Sequence, residues 1–88
     1  MQRYAITVAG KVQGVFYRDS ARREALRLGL AGFARNDPDG TVYLEAEGEE
    51  EALRQFLWWC SKGSPQAKVT NVEHQVLSPI GYDGFEVR

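Results

Sequence analysis

Apolar and polar positions recur along the chain at two periods, and the changes of period mark out its elements. Tyr4, Ile6 and Val8 alternate with Ala5, Thr7 and Ala9, the period of a first strand. After a loop from Lys11 to Arg18, Ala21, Ala25 and Leu28 fall at helical spacing with Arg22, Arg23 and Arg27 outside, which predicts a helix over about Asp19 to Leu28. Asp19 or Ser20 is placed to cap its start, Gly29 fits the position just past its end, and the alanines suit close packing on a sheet. Leu30 to Asn36 reads as a second strand, Asp37-Pro38-Asp39-Gly40 as a turn, and Thr41 to Glu47 as a third strand completing a hairpin. Val42, Leu44 and Ala46 share one face of that third strand, so Tyr43, Glu45 and Glu47 are expected to meet water.

A second helix is predicted over about Glu49 to Lys62, burying Leu53, Phe56, Leu57 and Cys60 and stopped by Gly63 and Pro65. Glu49, Glu50 and Glu51 at its start and Lys62 at its end both suit the helix dipole. Val69 to Leu77 follows as a fourth strand with Val72, His74 and Val76 on the inward face, Ser78-Pro79-Ile80-Gly81 turns the chain, and Phe85 and Val87 alternate in a short last strand. The order predicts an α+β fold: a ferredoxin-like βαββαβ sandwich, an antiparallel sheet with two helices on one face and a short extra C-terminal strand. Eighty-eight residues leave room for one core, so residues 1–88 form a single domain.

Composition narrows the function without choosing it. Apolar residues are 43% and charged residues 26% of the chain, ordinary for a globular protein. Eleven Lys and Arg against twelve Asp and Glu give a net charge of −1, so no bulk attraction draws nucleic acid or anionic membrane, and any anion binding is local. No stretch is apolar enough to span a bilayer, the N-terminus lacks a signal segment, and a cytoplasmic protein is expected. A single cysteine rules out an intramolecular disulfide and a cysteine-based metal cluster.

Two segments carry candidate chemistry. Gly10-Lys11-Val12-Gln13-Gly14-Val15-Phe16-Tyr17-Arg18 runs from a strand into a helix, where successive main-chain N–H groups can curl around an anion and Arg18 offers a planar cationic fork. It lacks the spacing of a Walker loop, and a plain crossover loop with a solvated arginine is the alternative. Gly32 to Val42, followed by Gly48, places Asn36 at the lip of the hairpin, where its amide can orient a water or simply hold the turn.

Together the segments resemble the acylphosphatase family over essentially the whole chain. Its first signature, G-x-V-Q-G-V-x-[aromatic]-R, is met by Gly10 through Arg18, and its second, G-[aromatic]-x-[basic]-N-x-x-x-G-x-V-x5-G, by Gly32 through Gly48. The resemblance implies hydrolysis of the carboxyl–phosphate bond of acyl phosphates, without metal, other cofactor or phosphoenzyme. Arg18 would bind phosphate and Asn36 position the attacking water, with the amides of Gln13, Gly14, Val15, Phe16, Tyr17 and Arg18 as the phosphate cradle. The implied partners are a small acyl phosphate, with inorganic phosphate or sulfate as ligand, and a monomer acting apart from nucleic acid and membrane.

Two rivals remain. One is a noncatalytic phosphate-binding or partner-dependent module like the acylphosphatase-like part of carbamoyl-transferring maturation proteins, against which the short chain weighs. The other is a ferredoxin-like RNA-binding module, but the open sheet face offers Tyr43 among glutamates rather than a basic aromatic platform. Asp19 is a potential competitor for Arg18, although sequence neighbours do not face each other on a helix. His74 and Cys60 read as structural, the three glutamates as dipole partners rather than a cation site. Of the adjacent Trp58 and Trp59, only one can be well buried.

Overall fold

The computed structural model describes all 88 residues. Its elements are β1 (Gln2–Lys11), α1 (Tyr17–Arg27), β2 (Ala31–Asn36), β3 (Val42–Gly48), α2 (Glu50–Lys62), β4 (Lys68–Leu77) and β5 (Phe85–Val87). The strands form one sheet in the order β4-β1-β3-β2-β5. The four long strands pair antiparallel, as the pattern predicts, but β5 joins β2 in parallel, making the sheet mixed. That pairing depends on contacts far apart in sequence: Gly32 donates to the Gly84 carbonyl and Arg88 to the Ala34 carbonyl, both at 2.8 Å. The edge of β2 is thereby covered.

Both helices lie on one face. Ile6 and Val8 of β1 and Val42, Leu44 and Ala46 of β3 meet Ala21 and Ala25 of α1 and Leu53, Phe56 and Cys60 of α2 in a single apolar cluster. Burying side chains such as Leu53 and Phe56 contributes about 1.5–3 kcal/mol each. Leu57 is only partly buried at the edge of this stripe. Gly32 is required where β2 pairs with β3: with φ +151°, any Cβ there would run into the Glu45 carbonyl. No helix is long and apolar enough to cross a membrane.

Three expectations are corrected. Glu47 does not meet water; it is 4% exposed, because the turn after β4 folds over that face and its N–H groups cap the carboxylate. His74 shares the helix-side face with its neighbour Ile6, but on an edge strand that leaves it exposed, with its ring 5.0 Å from that of Tyr4; Val76 is exposed for the same reason. The open face carries more than Tyr43 among glutamates. Phe33, Tyr43 and Tyr82 cluster there, with the Arg88 guanidinium 3.9 Å from the Phe33 ring centre and that of Arg35 4.6 Å from the Tyr43 centre. Those cations already occupy the aromatic faces that a base would stack on. Of the two tryptophans, Trp58 is 66% exposed, while Trp59 packs against Tyr17 and Phe56.

Candidate active site

The loop between β1 and α1 is shaped by two residues with positive φ, Gly14 at 72° and Phe16 at 61°. Glycine takes this conformation freely, whereas for an aromatic residue it costs about 1–2 kcal/mol. Phe16, with ψ 25°, turns the chain straight into the helix. Helix α1 consequently starts at Tyr17, two residues earlier than the periodicity predicts, and neither Asp19 nor Ser20 caps it with a side chain. The first helical bond runs from the Ser20 N–H to the Phe16 carbonyl at 3.1 Å. Among the backbone hydrogen bonds formed outside helices and strands, none is donated by the N–H groups from Gln13 to Asp19. A left-handed residue followed by helical ones turns successive N–H groups to a common side, a concavity suited to an anion.

The loop is held at three points. Val15 is buried in the core, and its carbonyl accepts from the buried Ser64 hydroxyl at 2.7 Å. Tyr17 is buried as well; its hydroxyl donates to the Cys60 carbonyl at 2.8 Å, and burial pushes its phenol well above the ordinary range. Gln13 turns its side chain sideways, and Nε2 donates to the Asp37 carbonyl at 2.8 Å and the Thr41 carbonyl at 2.9 Å. That last pair fastens the loop to the hairpin carrying Asn36.

Asn36 ends β2 on the same face as Ala34, the face toward α1. Val87 lies beside Ala34 in the parallel pair, so β5 adds a side chain to the same corner. The result is a cavity of about 300 Å³ lined by Val12, Gly14, Phe16, Tyr17, Arg18, Asp19, Asn36 and Val87. Of the residues singled out in the sequence, Gly14, Phe16, Tyr17, Arg18 and Asn36 come together on this wall, while Gln13 and Val15 support it from behind. Asn36 Oδ1 is buried with no hydrogen-bond partner in the protein. Arg18 does not pair with Asp19: its Nη1 donates to the main-chain oxygen of Arg88 at 2.6 Å.

The profile of the acylphosphatase family matches residues 4–87. The chain belongs to that family. It is 48% identical over 81 residues to the acylphosphatase of Methylococcus capsulatus, a match covering 92% of this chain and 88% of that relative. Its fold superposes on the crystal structure of the Bacillus subtilis acylphosphatase with a TM-score of 0.97 at 38% identity, over 100% of this chain and 99% of the other. It is also similar to part of full-length HypF in its phosphate- and nucleotide-bound form, with TM-score 0.91 and 26% identity, over 99% of this chain but 12% of that one.

Within this acylphosphatase-family site, sequence reasoning missed Val87, Ser64 and the Arg88 contact. None carries a local signal. Each reaches the site through a long-range partner: the Ser64–Val15 bond spans 49 residues, the Arg18–Arg88 bond 70, and Val87 is brought to the cavity by its pairing with Ala34.

Proposed function

We propose that this acylphosphatase-family enzyme hydrolyses acyl phosphates by direct in-line attack of water on phosphorus, with Arg18 and the loop amides binding the phosphoryl group and Asn36 positioning the water. The observation that carries the assignment is a run of main-chain N–H groups without backbone partners, Gln13 to Asp19, on a loop that shares one cavity with the Arg18 guanidinium and the Asn36 amide. The first N–H groups of any helix lack intrahelical partners; here the run extends back from the first turn of α1 through the loop to Gln13, and donors clustered at a helix start suit a negatively charged ligand.

The chemistry asks little more of the protein. The leaving group is a carboxylate, whose conjugate acid has a pKa of about 4, so it departs without a strong general acid. As the water oxygen bonds to phosphorus, the bond to the acyl oxygen breaks and carries its electron pair to the carboxylate. A phosphoryl oxygen of the substrate takes the water's proton, giving inorganic phosphate. The guanidinium and amides neutralise charge on the transferring group, and Asn36 fixes the water opposite the leaving oxygen. Binding of Arg18 to phosphate replaces its bond to the Arg88 oxygen.

Asn36→Ala tests the assignment. Hydrolysis of benzoyl phosphate is expected to fall at least a hundredfold while inhibition by inorganic phosphate is largely kept. Normal turnover by the variant overturns the water-positioning role, and phosphate binding without any hydrolysis by the unaltered protein favours a noncatalytic module instead.

A further inference from the structure

The site chemistry above deals with the phosphoryl end of the substrate and leaves the acyl end without a partner. Two apolar side chains on the cavity wall are unused by it: Phe16, 72% exposed, and Val87, 38% exposed. Single exposed apolar residues are common and signify nothing alone. These two share one cavity, come from opposite ends of the chain, and one is an aromatic residue held in a left-handed conformation that bulky side chains rarely adopt. A loop that needed only a positive φ would be served as well by glycine. A ring held there at a conformational cost points to use of the side chain.

With the phosphoryl group against Arg18 and the amides, and water held by Asn36, the in-line requirement sends the leaving carboxylate away from Asn36. At about 300 Å³ the cavity lies at the small end for ligand sites, so an acyl group larger than a few atoms must cross the rim. The remaining charged group on the wall is the exposed carboxylate of Asp19, which no Arg18 pairing neutralises and which repels a second negative charge on the substrate.

We infer that Phe16 and Val87 form an apolar rim that recognises the acyl group, making the enzyme selective for acyl phosphates with an uncharged, apolar acyl portion over small or anionic ones. This rests on the phosphoryl-binding assignment of Arg18 and Asn36. It adds two specificity residues, of which Phe16 acts here through its side chain and not its amide.

The test is the ratio of kcat/KM among benzoyl, acetyl and succinyl phosphate for the unaltered protein, Phe16→Gly and Val87→Ala. Glycine retains access to the positive φ while removing the ring. The expected order is benzoyl, then acetyl, then succinyl. The benzoyl-to-acetyl ratio should drop about tenfold in Phe16→Gly and severalfold in Val87→Ala, whatever happens to absolute rates. An unchanged ratio in both variants overturns the rim, whether the absolute rates stay as they were or fall equally on both substrates. A preference for succinyl phosphate overturns it too. Failure of the unaltered protein to hydrolyse any of the three overturns the underlying site assignment and the rim with it.

Discussion

Gln13 ties the loop between β1 and α1 to the hairpin through its side-chain amide, which donates to the Asp37 carbonyl at 2.8 Å and to the Thr41 carbonyl at 2.9 Å. One side chain thus fixes the separation between the two segments that meet at the cavity. Asn36 immediately precedes one of the carbonyls it grips.

Gln13→Ala leaves both carbonyls without that donor and frees the hairpin tip relative to the loop. The expected cost in stability is about 1–2 kcal/mol, a fall in Tm of several degrees for a domain of this size. Because small displacements of positioned groups are expensive in rate, kcat should fall about tenfold or more, and further than phosphate affinity falls. Equal losses in kcat and in phosphate binding would mean that the loop itself had collapsed.

Arg18 is held at the cavity by a single 2.6 Å bond to the Arg88 main-chain oxygen. Inorganic phosphate at about 100 times its Kd should stabilise the protein by about 2.7 kcal/mol, raising Tm by roughly 10 °C or more. Arg18→Ala should abolish that shift, and Arg18→Lys should restore only part of it, since an ammonium lacks the two-pronged geometry. Calorimetry with and without phosphate reads the outcome directly, and chelator should leave turnover of the unaltered protein unchanged.

The Glu47 carboxylate makes a pH-dependent contribution to stability. It accepts from the N–H groups of Gly81, Ile80 and Tyr82, at 2.9, 2.5 and 2.7 Å, and these bonds hold its pKa below the usual carboxylate range despite burial. A carboxylate depressed in the folded state stabilises above its unfolded pKa, near 4.3, and that contribution disappears as pH falls through the folded value. Glu47→Gln should lower Tm at pH 7, by about 1–3 kcal/mol of stability, and make the acid limb of a Tm–pH curve shallower. An acid limb identical to that of the unaltered protein would assign the pH dependence to other carboxylates.

How far the sequence reached depends on the distance over which each residue acts. Ile6 and Val8, Ala21 and Ala25, and Val42, Leu44 and Ala46 declare their buried faces by spacing alone, because neighbours within one element set their environment. Arg18 and Asn36 were legible from two motifs, though spacing alone did not say that the Gln13 amide would bring them to one wall. Glu47 was misjudged because what covers it is a turn more than 30 residues on, and the left-handed Phe16 leaves no trace in hydrophobic pattern. The parallel addition of β5 likewise follows from long-range pairing with Gly32 and Ala34, which no local period encodes.

Tyr17 and Cys60 join the start of α1 to the end of α2 inside the core, and their chemistry separates structure from catalysis. The Cys60 carbonyl sits in the last turn of its helix, where carbonyls lack intrahelical partners, and the Tyr17 hydroxyl satisfies it at 2.8 Å. Tyr17→Phe removes that donor from a buried acceptor and should cost about 1–3 kcal/mol. The thiol itself is fully buried, and burial raises its pKa to about 12, so almost no thiolate exists at neutral pH. Cys60 should react with a thiol reagent in the native protein only through unfolding, at a rate that rises in Tyr17→Phe in step with the loss of stability. Cys60→Ala should retain full turnover at temperatures where it stays folded. Rapid labelling of the native thiol, or loss of activity in the folded Cys60→Ala variant, would return this cysteine to the chemistry of the site.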